Sequence, residues 1–380
     1  MPSSTSNFER PGFVRQTASD RPGVAQPVPE RDIPVQPWRR IFLVAILLAT
    51  TLTASWEYYW RAFGSEAGFR NSDGEWAAQR NRIDHGDGAK TVLAGSSRVL
   101  FDMQLPVWQR LSGERPIQLA LEGTSSIPVL EDLAADPNFK GRLLVGVAPD
   151  LFFGGFAYRA DAITYFHKWS PSQRAGDWIS AHWVEPYFAF YDTDFALGTV
   201  LRRQDWPVRP GMHKEMRVRK LMVQPDLDRN SHMWSKVEND PEYRAIARAT
   251  WAQHFDGPMP GMETPEQKKA KIDEQIGKAV KAVATLHARG VPVVFVRLPS
   301  SGEYYAYEQK YLPRAESWDL LLARTGAPGI HFEDHPELQG YDTPEWSHLS
   351  ATEATRFSSA FLPIVQREFA NAKGLLSAKH

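Results

Sequence analysis

Hydrophobic and polar positions follow three regimes along this chain. Up to Pro37 no apolar period exists: seven prolines are scattered among Ser, Gln and Arg. Such a stretch cannot bury enough surface to offset its ordering entropy, so residues 1–37 read as a disordered cytoplasmic arm. Next comes "IFLVAILLATTLTASW", Ile41 to Trp56, sixteen residues without a charge. That is short of the roughly 20 a spanning helix wants. However, Trp38 ahead of it and Trp56, Tyr58, Tyr59 and Trp60 at its end suit the membrane interface and extend the span over residues 38–60. A cleaved signal peptide fits less well, because the arm exceeds a normal leading region and no small-x-small site follows. A buried core helix would usually show a polar stripe, which this run lacks. Arg39 and Arg40 favour an N-terminus kept in the cytoplasm. The expectation is a single-pass protein of the bacterial inner membrane, with everything after the span in the periplasm.

The third regime is one of short, continuous apolar runs separated by helical periods. Thr91 to Ala94, Ile117 to Leu121 and Leu143 to Ala148 look like strands buried on both faces of a parallel sheet. Segments Pro106 to Leu111 and Pro128 to Ala135 would be crossover helices. Residues 154–262 break the rhythm with many aromatics (Trp169, Trp178, Trp183, Tyr187, Trp234 and Trp251 among them) and read as a largely helical insertion. The rhythm resumes at Thr264-Pro265-Glu266-Gln267, a helix start with a capping-box glutamine. Ile272, Ile276, Ala279, Val280, Val283 and Leu286 follow at helical spacing to a stop at Gly290. The strand "VPVVFVRLP", a helix over Glu308 to Arg324, a strand Gly329 to Phe332 and a last helix from Ser350 complete the pattern. Ser350 and Glu353 form another capping box, and Pro363 should kink or split that helix. The prediction is an α/β fold: a three-layer parallel-sheet domain made of residues 61–153 and 263–375, interrupted by the insertion at 154–262.

Composition narrows the function. A net charge of -1 leaves no basic field for nucleic acid. The absence of cysteine removes disulfides, thiolate metal sites and cysteine nucleophiles. His85, beside Asp84, and the scattered His182, His213 and His232 show no metal-ligand spacing, so neither metal nor cofactor is expected. The insertion's aromatics suit stacking on sugar rings, although 13 tryptophans can equally serve core packing.

Two stretches suggest chemistry. In "TVLAGSSRVLFD" the first strand stops at Gly95-Ser96-Ser97, and ligands of open α/β sheets sit beyond the carboxyl ends of strands. Turn requirements alone, a glycine with positive φ and a capping serine, could account for the loop. Ser97 there could equally expose its hydroxyl, with its own N–H available to an oxyanion. In "YDTPEWSHLSAT", His348 precedes the last helix and Glu345 lies three residues before it, close enough to turn back onto the ring nitrogen that a nucleophile leaves unused. Taken alone, His348 could also be a helix-capping or core histidine.

Gly95-Ser96-Ser97 after the first strand and Glu345-Trp346-Ser347-His348-Leu349-Ser350 before the last helix together resemble the GDSL/SGNH hydrolase superfamily, with Gly123 matching the glycine of its second block. The resemblance covers roughly residues 90–150 and 285–370. It implies a flavodoxin-like three-layer fold, Ser97 as nucleophile, His348 as base and Glu345 as its orienting carboxylate. It also implies the Ser97 and Gly123 amides as oxyanion donors. The chain departs from the family in having Ser96 where an aspartate is usual. A third block, "GVAPDLFF", lacks the family's asparagine, and Glu345 stands where Asp is commoner. Asp342 is a reserve orienter, and Arg98 or Arg297 a replacement for the lost donor.

These departures resemble the membrane-anchored branch that modifies envelope polymers, such as the teichoic acid D-alanyl transfer and alginate acetylation proteins. That branch implies a serine O-acyltransferase, for acetyl groups above all, acting on a cell-surface polysaccharide beside a membrane-bound O-acyltransferase partner. A periplasmic carbohydrate esterase or deacetylase with the same residues is one alternative. A catalytically degenerate scaffold or glycan-binding subunit is the other.

Overall fold

The computed structural model describes residues 36–204, 206–207, 209–212 and 216–377. Apart from Gln36 and Pro37, the arm expected at 1–37 lies outside the described residues, as does His213. The chain divides into two units, Met1–Ala54 and Ser55–His380. Trp38–Ala62 is one 25-residue helix, slightly longer than the expected span and long and apolar enough to cross a membrane.

Among the described residues the second unit contains seven strands: β1 (Thr91–Ala94), β2 (Ile117–Gln118), β3 (Arg142–Gly146), β4 (Met222–Val223), β5 (His232–Met233), β6 (Val293–Arg297) and β7 (Gly329–His331). Five of them form an all-parallel sheet in the order β2-β1-β3-β6-β7. The middle residues of β1, β3 and β6 are apolar on both faces because both faces are covered. Val92, Leu143 and Val293 sit side by side and point into one core, with Trp76 and the helices Ile127–Ala135, Pro265–Ala288 and Trp318–Thr325. Their neighbours Leu93, Leu144 and Val294 point into the other, with the helices Ser97–Asp102, Leu105–Ser112 and Ala351–Ser377.

Several sequence expectations need correction. β2 stops at Gln118, although the Leu119 and Leu121 amides still donate to Leu93 and Gly95. β3 ends at Gly146 and β7 at His331. The helix expected over Glu308 to Arg324 is two helices, Gly302–Tyr311 and Trp318–Thr325. Pro313 lies between them, and it disfavours helical backbone at Leu312 and cannot donate. Ser350 accepts from the Glu353 amide as expected, but its own N–H donates to the Asp342 carbonyl, and Glu353 pairs with Arg356, so the box is only half formed. Pro363 does not interrupt the last helix. It faces solvent, while Phe357, Phe361, Leu362, Val365 and Phe369 bury both halves against one core. That packing outweighs a proline cost of about 3 kcal/mol.

The insertion is not purely helical, since β4 and β5 form an antiparallel pair too short for alternation to register in the sequence. Nor does it stand apart from the sheet. Phe195, Leu221, Met233, Trp234, Val237 and Tyr243 share a core with Leu93, Leu100 and Phe101.

Gly95 and Gly146 explain how the Ser97–Asp102 helix sits so close to the sheet. Neither has positive φ; a Cβ at Gly95 or Gly146 would come within 2.3 or 2.2 Å of Val99 Cγ2. Overpacking of this kind costs about 1–3 kcal/mol. Gly146→Ala should therefore lower the thermal midpoint, and adding Val99→Ala should recover part of the loss. A double variant no more stable than Gly146→Ala would show that close approach is not the constraint.

Candidate active site

Ser97 is the first residue of the helix after β1, and Ser96 precedes it in extended conformation without a side-chain capping bond. The two serines are thus not explained by capping. Across the carboxyl ends of the strands, the segment before the last helix turns through Trp346, whose φ of 77° is left-handed backbone that such a side chain rarely adopts. Three contacts hold the turn. The Trp346 amide donates to Thr343, its carbonyl accepts from Ser301, and Arg248 donates to the Pro344 carbonyl.

The turn folds Glu345 back onto His348. Glu345 Oε1 accepts from the His348 amide at 2.8 Å and lies 2.7 Å from Nδ1. Glu345 Oε2 accepts from Trp251 Nε1 at 2.5 Å. Burial pushes the Glu345 carboxyl up, but the charge and hydrogen bonds of His348 and the Trp251 N–H outweigh it and hold it below the usual range. A carboxylate only accepts, so Nδ1 carries the imidazole proton and Nε2 is left as an acceptor. Nε2 lies 2.8 Å from Ser97 Oγ. Phe101 stacks on the ring, centroids 4.2 Å apart at 23°, and fixes its plane.

Ser97, His348 and Gly123 all line a cavity of about 1110 Å³. Neither the Ser97 nor the Gly123 amide donates to a protein acceptor among the described residues. Where the third block would present its asparagine, the wall is apolar, made of Ala148 and Leu151. Asp150 turns away and accepts from the Tyr304 hydroxyl at 2.6 Å.

The reserve assignments separate. Asp342 is exposed and, among the described residues, meets only Ser350, through its carbonyl, so of the two carboxylates Glu345 is the one in contact with His348. Arg297 does not line the cavity; it is buried against Glu308 Oε2 at 2.5 Å and Ser300 at 2.8 Å, which removes it as a replacement donor. Arg98 does line the cavity. Its Nη1 lies 2.8 Å from Glu308 Oε1, its Nε donates to Ser347 and its guanidinium sits over the Tyr304 ring, while Nη2 has no hydrogen-bond partner among the described residues. No group of three or more metal-ligating side chains occurs among the described residues.

Sequence reasoning missed Trp251, Arg248, Phe101 and Asp102. Trp251 and Arg248 lie one helical turn apart on the Pro241–Ala252 helix, an (i, i+3) pair that only the fold brings to the loop. Asp102 is fully buried and accepts from the Leu349 amide at 3.0 Å. Burial drives its carboxyl well above the usual range; Leu349 N–H and Arg98 oppose that, and the Glu345 charge adds to it.

A carboxyl raised on folding costs the native state stability as pH climbs above its unfolded value of about 3.9, until it ionises in the folded protein too. Asp102→Asn should therefore gain on wild type by up to ~1.4 kcal/mol per pH unit upward from about pH 4. Denaturation of both proteins across the acid-to-neutral range measures the difference. A difference that does not change with pH would mean Asp102 is ionised throughout.

No protein-family model matches this chain, and no curated protein sequence matches it. The functional reading accordingly rests on the site itself.

Proposed function

We propose that this protein is a membrane-anchored, SGNH-like serine acyltransferase, transferring an acyl group, acetyl above all, to a cell-surface polysaccharide on the periplasmic side. One observation carries the reading: Ser97, His348 and Glu345 stand in hydrogen-bonded series in the wall of a large cavity. The strand order and the helices on both sheet faces agree with a flavodoxin-like three-layer fold.

In the proposed reaction Ser97 Oγ attacks the acyl carbon of an ester donor and passes its proton to His348 Nε2. Glu345 holds the imidazolium that forms. The developing oxyanion is received by the Ser97 and Gly123 amides. Collapse expels the donor alcohol, which takes the proton from His348, and leaves the acyl group on Ser97. A sugar hydroxyl, deprotonated by His348, then attacks the acyl-enzyme and frees Ser97. Water in its place would make the protein an esterase or deacetylase. A membrane-bound O-acyltransferase is the proposed source of acyl groups, as in the envelope-modifying branch.

A serine-reactive fluorophosphonate tests the first half. The full chain should be labelled on Ser97, with labelling lost in Ser97→Ala and slowed about 10²-fold or more in His348→Ala. Complete resistance of the folded wild type would favour a degenerate scaffold.

Glu345→Gln should slow labelling by a similar factor, because an amide neither stabilises the imidazolium nor fixes the tautomer. Trp251→Phe removes one hydrogen bond to a charged group, worth about 1.5–3 kcal/mol, and should act in the same direction. Rates unchanged in both variants would remove Glu345 from the mechanism. Acyl transfer is then distinguished from hydrolysis by whether release from an aryl ester speeds up, and acylated product appears, when an oligosaccharide acceptor is added.

A further inference from the structure

The aromatic residues of the insertion remain unexplained by the site. Trp251 supports Glu345 and Trp234 is core. Trp183, Tyr187, Phe188, Leu197 and Leu201 are instead exposed, by 66, 62, 39, 60 and 46%. Leu197 and Leu201 are four apart on the short Leu197–Arg202 helix and so share its outer stripe, while Val200 packs inward. An apolar surface of this kind in a folded domain marks a place where something else sits.

What sits there follows from the chain that precedes it. The last uncharged residue of the apolar run is Trp56 and the first charge is Glu57. Residues 56–61 are therefore the last turns of the helix, within about 9 Å of the end of that run at 1.5 Å per residue. The headgroup layer on each side of a bilayer is about 5–7 Å deep. These same turns hold the exposed segment by four hydrogen bonds. Glu57 accepts from the Ala189 and Phe190 amides at 3.0 Å each, Trp56 Nε1 donates to Phe195 at 3.2 Å, and Arg61 donates to Tyr187 at 3.0 Å. Tyr58 and Tyr59, on the same turns, are exposed as well.

Charge agrees. The carboxylates in this region are already engaged, Glu57 by Arg61, Glu185 by Arg70, Asp192 by Lys220 and Asp194 by Arg203. Arg202 is exposed and, among the described residues, meets only the Thr199 hydroxyl. Aromatic rings with an exposed cation beside them suit the interface of an anionic bilayer.

We propose that this face of the insertion, with Tyr58 and Tyr59, lies in the headgroup layer of the membrane that the anchor helix enters. It is a lipid-docking surface. Thr199 and Arg202, on the same short helix as Leu197 and Leu201, line the cavity that contains Ser97. Docking would therefore set the mouth of the cavity at the bilayer surface, where an acyl group handed over from within the membrane emerges.

The test exploits the absence of cysteine in this chain. Trp183→Cys, Leu197→Cys and Leu201→Cys, each in the full chain, are spin-labelled and placed in nanodiscs of phosphatidylcholine and phosphatidylglycerol with no other protein. Lys281→Cys, exposed on the Pro265–Ala288 helix, is the aqueous control. Near-ultraviolet circular dichroism matching wild type establishes that each variant is folded. The ratio of oxygen to nickel-chelate accessibility should be several-fold higher at the three insertion sites than at Lys281→Cys. Equal ratios at all four would overturn the proposal. Protection that appears only in native membranes would also overturn it, and would assign the surface to a membrane protein instead.

Discussion

The buried Glu345 carboxylate is the group around which the site is arranged. A charge without solvent is costly unless donors surround it. Three surround this one: the His348 amide, His348 Nδ1 and Trp251 Nε1. Meeting that demand places the left-handed residue at Trp346, brings the Pro241–Ala252 helix of the insertion against the loop, and fixes the imidazole tautomer. The Nε2–Ser97 contact is what remains once Glu345 is satisfied. The insertion is thus part of the site, because without Trp251 one oxygen of the carboxylate would lose its donor.

Sheet strands and long amphipathic helices were legible in the sequence because each carries its own signal, a continuous β-branched run or a 3.6-residue period with a cap. β1 and the Pro265–Ala288 helix, with its Thr264 box, appear as expected. Pro363 was misleading, since local propensity says nothing of the ten buried side chains along that helix. The candidate site residues were legible for a different reason: Ser97, His348 and Glu345 each lie in a short segment of distinctive composition. Their supports were not. Trp251, Phe101 and Asp102 act through contacts that only the tertiary fold creates, and Asp102 lies 247 residues from the amide it accepts from.

One departure from the pattern of the family that the sequence resembles acquires a physical meaning. Asp150, in the third block, is drawn into a buried group with Tyr304, next to the Arg98–Glu308–Arg297 cluster. Glu308 bridges the two arginines, one oxygen to each. Burial works against the charge on Arg98, but Glu308 outweighs it, so the residue beside Ser97 remains a guanidinium. An asparagine offers a neutral donor at the end of β3; this chain instead has an apolar wall there and a fixed positive charge on the adjacent helix. That charge is met on one side by Glu308 and on the other by the face of the Tyr304 ring.

The insertion joins these arrangements into one. Its first part is hydrogen-bonded to the last turns of the apolar N-terminal helix, its middle lines the cavity with Thr199 and Arg202, and its final helix supplies Trp251 and Arg248. The end of the apolar helix, the cavity and the Glu345 carboxylate are therefore connected through a single continuous segment, which also contributes Phe195, Trp234 and Tyr243 to the core on one face of the sheet. Within the core, close packing transmits displacement instead of absorbing it. A shift of the end of the apolar helix relative to the sheet would pass through Phe195 and Trp234, which pack against each other and, through Phe195, against Trp60. The side chains that hold His348 in place are thus mechanically tied to the point where the chain leaves its apolar helix.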